Sequence, residues 1–149
     1  MNTVGAAVRD HLRPTEHQIQ SALVDWIGWK EREIPLLRLL YAVPNGAGLR
    51  HTVRTTRSGK VVRFSAEANK LRREGLRKGI PDMCWPVARG GFLSLYIEHK
   101  RNNEALSDAQ GEIADLLREA GHKVCLSRSV DESIEIILDY WRQPPTVVL

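Results

Sequence analysis

The sequence predicts an α/β domain with a mixed central sheet flanked by helices. Three observations carry that expectation. Apolar stripes of helical period alternate along the chain with short apolar runs of strand length. Two of those runs, 83–87 and 92–98, are separated only by Ala88-Arg89-Gly90-Gly91, which is turn material. The next run, 123–127, follows across a helical segment. Tight turns join antiparallel strands and helical crossovers join parallel ones, so the sheet should contain both. At 149 residues the length suits one domain with a sizeable core and no second domain. We place that domain at 15–143, with 1–14 as an arm and 144–149 as a tail.

Each element has a local reason. Thr15 is a good N-cap with Gln18 as its capping-box partner, and Ile19, Ala22, Leu23, Trp26 and Ile27 give the helical stripe behind it. Glu16 lies in the first turn, where a carboxylate suits the helix dipole, and Gln20 follows one turn on. The mostly apolar run 36–43 predicts a central strand, ended by Pro44 and the Asn45-Gly46 turn. Residues 49–64 form a basic insert, read as a hairpin or loop, with Ser58-Gly59 as its turn and Val61-Val62-Arg63-Phe64 as a short strand. A helix over 65–77 follows, capped by Ser65, with Ala68, Leu71 and Leu76 apolar and Gly79 as its stop. Ser107 and Gln110 make a second capping box ahead of a stripe of Ile113, Leu116, Leu117 and Ala120, stopped by Gly121. After the strand at 123–127, Asp131 caps the last helix, with Ile134, Ile137, Leu138 and Trp141 inward and Pro144-Pro145 at its end.

The hairpin carries the chemistry. Side chains alternate faces along a strand, so Glu98 and Lys100 share a face with Ser94 and Tyr96. Leu93, Leu95, Ile97 and His99 face the core, which argues against His99 as a general base. Pairing of the two strands brings Asp82 near Glu98, so two carboxylates and an ammonium converge at the open end. Carboxylate oxygens suit Mg²⁺ or Mn²⁺, and Mg²⁺ is usually held by one or two of them. A lysine beside such a metal can orient or deprotonate a water, or steady charge on a phosphate. The plain alternative is a solvated strand end with a surface ion pair.

Charge is unevenly placed. The net charge is +4 and the sequence pI is about 9.3. Residues 44–78 hold ten basic side chains (Arg50, Arg54, Arg57, Lys60, Arg63, Lys70, Arg72, Arg73, Arg77 and Lys78) against Glu67 and Glu74, a local +8 that leaves −4 elsewhere. Such a field suits a polyanion; a solvated basic face is the alternative. Arginine offers bidentate geometry to phosphates, whereas no aromatic series interleaves to make a base-stacking platform. The hydrophobic fraction of 42% and charged fraction of 27% are ordinary for a soluble protein. Cys84 and Cys125 lie inside strands with no zinc spacing, which reads as buried free thiols in a reducing compartment. The N-terminus shows no signal-peptide pattern and no apolar run has membrane-spanning length. These features predict a cytoplasmic protein with no membrane partner.

The ordered blocks resemble the VRR-NUC family of the PD-(D/E)xK nuclease superfamily, in its stand-alone phage or bacterial form. They are Glu16-x-x-x-Gln20, Tyr41-Ala42-Val43-Pro44-Asn45-Gly46, the 75–82 run ending Gly79-Ile80-Pro81-Asp82, Ile97-Glu98-His99-Lys100-Arg101, the 106–110 block ending in Gln110, and Ala120-Gly121-His122-Lys123-Val124. The resemblance covers roughly 15–141. It implies a restriction-endonuclease-like fold and a metal-dependent DNA endonuclease. Asp82, Glu98 and the backbone carbonyl of His99 would hold Mg²⁺ or Mn²⁺, Lys100 would position the water, and Glu16 and Gln110 would support the site. Gln110 would point toward Lys100; since it also reads as a helix cap, one side chain should not do both jobs. Asn45 would lie close to the site or serve only its turn. Arg50, Arg54, Arg57, Lys60, Arg63, Arg72, Arg73, Arg77 and Lys78 would meet DNA phosphates. Stand-alone members look like resolvases of four-way (Holliday) junctions, so branched DNA is the favoured partner and a homodimer the favoured assembly. Trp26 and Trp29 cannot both face one core, and Trp29, Trp141 and Val147-Val148-Leu149 are spare apolar surface for such an interface. The rival readings are a nucleic-acid-binding module with little or no cleavage, a general DNA nuclease, and a structural α/β domain.

Overall fold

Two short strands, β4 (Met83–Trp85) and β5 (Leu95–His99), pair antiparallel at the centre of a four-stranded mixed sheet in the computed structural model, which describes residues 14–44 and 52–147. β1 (Tyr41–Ala42) adds antiparallel to β4 at one edge, and β6 (Lys123–Ser127) adds parallel to β5 at the other. β2 (Thr52–Thr55) and β3 (Val61–Phe64) pair only with each other, as a separate ribbon. The helices are α1 (Glu16–Lys30), α2 (Ala66–Arg73), α3 (Asp108–Glu119) and α4 (Val130–Arg142). No described helix is long and apolar enough to cross a membrane.

One face of the sheet makes the core. Met83, Trp85, Leu95 and Ile97 pack with Leu23 and Ile27 of α1 and Ile137 and Tyr140 of α4, all nearly inaccessible. Fully burying side chains of this size contributes about 1.5–3 kcal/mol each. Both capping boxes form as the sequence predicts, at Thr15/Gln18 and Ser107/Gln110, and Ser65 caps α2. The hairpin turn has Gly90 at φ 59° and Gly91 at φ 85°, the pair of positive values that a tight two-residue turn requires.

Several local expectations fail for tertiary reasons. The run 36–43 is not a central strand. Pro35 opens a 3₁₀ helix over Pro35–Leu39, and only two residues reach the sheet, at its edge. Ile34 and Leu37 are buried while Leu36 and Leu39 are exposed, a period of three rather than two. α2 ends at Arg73, because Gly75 takes φ 106° and Leu76 N–H bonds back to Leu71 O; Gly79 has another task. α4 is capped by Ser129, whose hydroxyl accepts from Glu132 N, and not by Asp131. α3 buries Ala114, while Leu116 and Ala120 face outward and Ile113 and Leu117 are half-buried. β5 starts at Leu95, leaving Leu93 exposed, and Ala22 is exposed on α1. The segment 144–146, read from the sequence as the helix end and a tail, lies along the hairpin turn: Gly90 N donates to Pro144 O and Thr146 N to Ala88 O. Asn45, Gly46, Arg50, Val148, Leu149 and the arm at 1–13 lie outside the described residues.

Candidate active site

The open end of the β4–β5 hairpin collects the polar residues that the sequence singles out. Asp82 immediately precedes β4, its backbone carbonyl held by Val43 N at 2.7 Å. Its Oδ2 accepts the backbone N–H of His99 at 2.8 Å, so the carboxylate is fixed to the neighbouring strand. Glu98 lies on the face opposite the core and is only 4% exposed. Lys100 Nζ lies 3.3 Å from Glu98 Oε1 and 3.8 Å from Oε1 of Glu16, which reaches in from the first turn of α1. Gln110 Nε2 donates to the same Glu98 oxygen. The structure thus brings Asp82, Glu98, Lys100, Glu16 and Gln110 into one corner.

Gln110 corrects the expectation in two ways. It both caps α3 and serves the site, because a carboxamide has two ends: Oε1 accepts Ser107 N at 3.0 Å while Nε2 reaches Glu98. Its partner is Glu98, not Lys100. Gly79 makes that reach possible. Its φ is 90°, and a Cβ there would lie 2.7 Å from the carbonyl carbon of Ala109. The loop leading to Asp82 therefore rests directly on the first turn of α3.

Electrostatics single out Glu98. Burial first, and the charge of Asp82 second, push its carboxyl from the ordinary 4.5 up to about 7, against the lowering influence of Lys100. Its Oε2 is buried without a hydrogen-bond partner. A hard divalent cation fits these donors: it would satisfy the orphaned oxygen and offset the repulsion between the two carboxylates. Among the described residues no three His, Cys, Asp or Glu side chains form a ready ligand set.

His99 is fully buried on the core side, as alternation predicts, and burial lowers its pKa below the ordinary 6.5 against the pull of Asp82. The sequence reading missed its partners, Ser133 and Ser127, which are also inaccessible. A signal was present: Ser133 shares the buried stripe of α4 with Ile137 and Tyr140, and a serine on such a stripe needs a polar partner inside. The basic residues are on the surface. Arg54, Arg57 and Lys60 are exposed on the β2–β3 ribbon, and Arg72, Arg73, Arg77 and Lys78 are exposed at and beyond the end of α2.

The mixed sheet thus delivers Asp82, Glu98 and Lys100 to one end of a hairpin. The VRR-NUC domain family model matches residues 14–131, and the chain belongs to that family. The family is one of nucleases, so it implies DNA as partner and a divalent metal as cofactor. A solved structure described as a VRR_NUC domain protein has a TM-score of 0.66 and 24% identity, covering 89% of this chain and 92% of that one; it supports the fold. No curated protein matches.

Proposed function

We propose that this protein is a divalent-metal-dependent DNA endonuclease with Asp82 and Glu98, together with the backbone carbonyl of His99, as the holders of Mg²⁺ or Mn²⁺. The observation that carries this reading is Glu98: a buried carboxylate with one oxygen engaged by Lys100 and Gln110 and the other without a donor. A metal held there would supply Lewis acidity toward a phosphate oxygen and would make a coordinated water more acidic. Lys100, held between Glu98 and Glu16, orients the attacking water or steadies phosphate charge. Gln110 holds Glu98 in place, and Glu16 holds Lys100. The exposed cations of the ribbon and of the α2 end, with Arg50 and Arg63, contact phosphates along the DNA. No acidic residue lies between Glu33 and Glu67, so the field of the ribbon is unopposed in sequence, whereas Glu67 and Glu74 flank the cations of α2. Free Cys84 and Cys125 suit work in the reducing cytoplasm.

The favoured substrate is a four-way junction, and the favoured assembly a homodimer. A junction has approximate two-fold symmetry, and resolving it needs paired nicks, which a C₂ dimer supplies. Trp29, 73% exposed on α1, is apolar surface available to such an interface. The test compares a junction with a linear duplex of the same arms at equal salt, with Mg²⁺ and with Mn²⁺. Faster cleavage of the junction, and a dimer mass by light scattering, are expected. Equal rates on both would leave a general DNA nuclease, and metal-independent binding without cleavage a binding module.

A further inference from the structure

Behind the two carboxylates lies a closed polar network that alternation along β5 hides from the substrate side. His99 Nε2 lies 3.2 Å from Ser133 Oγ, and Ser133 Oγ lies 2.6 Å from Ser127 Oγ. Ser127 is the β6 partner of His99 in register, and its backbone carbonyl accepts Lys100 N at 2.9 Å. On the other side of the ring, His99 Nδ1 lies 3.7 Å from Asp82 Oδ2 and has no hydrogen-bond partner. His99, Ser127 and Ser133 are each 0% exposed.

The nearby carboxylate of Asp82 favours one tautomer. Each serine hydroxyl has one proton. If Ser127 donates to Ser133 and Ser133 donates to Nε2, both protons are used and the ring carries its own on Nδ1, facing a carboxylate. The carbonyl of Ser129, within 3.0 and 3.1 Å of the two hydroxyls, already accepts Ser133 N–H. If Ser133 donated to that carbonyl instead, Nε2 would carry the proton. Nδ1 would then aim a buried lone pair at the Asp82 carboxylate 3.7 Å away, which adds repulsion where an Nδ1–H dipole adds attraction.

We propose that His99 is a positioning residue for Asp82, its neutral ring protonated on Nδ1 and turned toward Oδ2 by the chain Ser127 to Ser133 to Nε2. The inference rests on the nuclease reading only in taking Asp82 as a metal holder. The Nδ1–H dipole and the backbone N–H of the same residue act on the same oxygen and set the carboxylate's orientation. Partners that orient metal ligands in this way typically change metal affinity by about 10–100-fold when removed.

Two measurements test it, neither needing DNA. Ring ¹⁵N shifts of the metal-free protein, with His99 assigned by its loss in His99→Gln, should show a protonated Nδ1 and an unprotonated Nε2; the reverse overturns the proposal. Calorimetric Mn²⁺ titration should show affinity about 10-fold weaker in Ser133→Ala and in His99→Leu. His99→Asn, which keeps an N–H near the Nδ1 position, should recover most of it. If His99→Leu does not fold, Ser133→Ala carries the test. Wild-type affinity in the folded Ser133→Ala and His99→Leu proteins overturns this role alone, whereas a wild-type protein without Mn²⁺ affinity overturns the nuclease reading as well.

Discussion

The two ends of the β4–β5 hairpin are built on opposite terms. At the turn end the polar groups are paired and aromatic rings fill the core. Tyr140 OH donates to Val87 O at 2.7 Å, the Trp85 indole donates to Leu36 O at 2.8 Å, and the Arg89 guanidinium stacks 3.8 Å over Trp141. Thr146 sews the chain after α4 onto the turn, accepting from Gly91 N and donating to Phe92 O. At the open end, a few residues along the same strands, Glu98 is buried beside another carboxylate with one oxygen unpartnered. The contrast teaches that stability is concentrated where no chemistry is needed. The well-packed end holds the strands rigid while the other end keeps an arrangement that is unfavourable until a cation completes it.

The sharpest way to separate the ends is chemical. Asp82→Asn, Glu98→Gln or Lys100→Ala should each reduce cleavage by at least about 10²–10³-fold, the scale of losing one preorganised charge partner. Thermal melts should show each variant folded, and Glu98→Gln should melt no lower than wild type without metal, since it removes a buried charge. By calorimetry Asp82→Asn should weaken metal binding, and Lys100→Ala should not. Full activity in any of the three would break the site assignment.

The turn end should respond in the opposite sense. Trp85→Ala should lower stability by about 3–5 kcal/mol in denaturant titrations, and Tyr140→Phe by about 1 kcal/mol. Cleavage per folded molecule should stay near wild type in both. A large loss of specific activity in Tyr140→Phe would show that the ends are coupled.

Glycines sharpen the same contrast at smaller scale. Gly79→Ala faces a positive φ and the Ala109 carbonyl together, so it should cost about 1–3 kcal/mol and also reduce cleavage, as the first turn of α3 shifts and draws Gln110 from Glu98. Gly91→Ala, at φ 85° with open space around it, should cost about 1 kcal/mol and leave cleavage unchanged. Equal kinetic effects would contradict the placement of Gln110.

The open end alone should show a pH dependence in the metal-free protein. The folded pKa of Glu98, about 7, lies above its ordinary 4.5, so folding favours the protonated form. Its contribution to stability is full below pH 4.5 and is lost as pH rises through 7. Melting temperatures of wild type should therefore fall across that window relative to Glu98→Gln, and saturating Mg²⁺ should remove the difference. Parallel curves for the two proteins would mean that Glu98 is not strained.

Much of this molecule is readable along the chain. Most caps and the glycine turn depend on neighbours within a few residues, so Thr15/Gln18, Ser65, Ser107/Gln110 and Gly90-Gly91 appear as the sequence predicts, whereas the α3 stripe and the Asp131 cap do not. The meeting of Asp82, Glu98 and Lys100 was legible too, because strand alternation and a short turn leave few ways to arrange them. The edge placement of 41–42 was not, because an apolar run looks the same whether it packs by twos in a sheet or by threes in a 3₁₀ helix.

What the sequence by itself determined was the fold class, the family and the corner where the charged residues meet. Tertiary structure alone decided the state of those residues. Burial and Asp82 set the protonation of Glu98. The approach of Gly79 to Ala109 lets one glutamine cap a helix and hold a carboxylate. Serines 28 and 34 positions after His99 close a network behind the site. Each depends on groups distant in sequence meeting in a medium without water, where one unpaired atom or charge outweighs local preference.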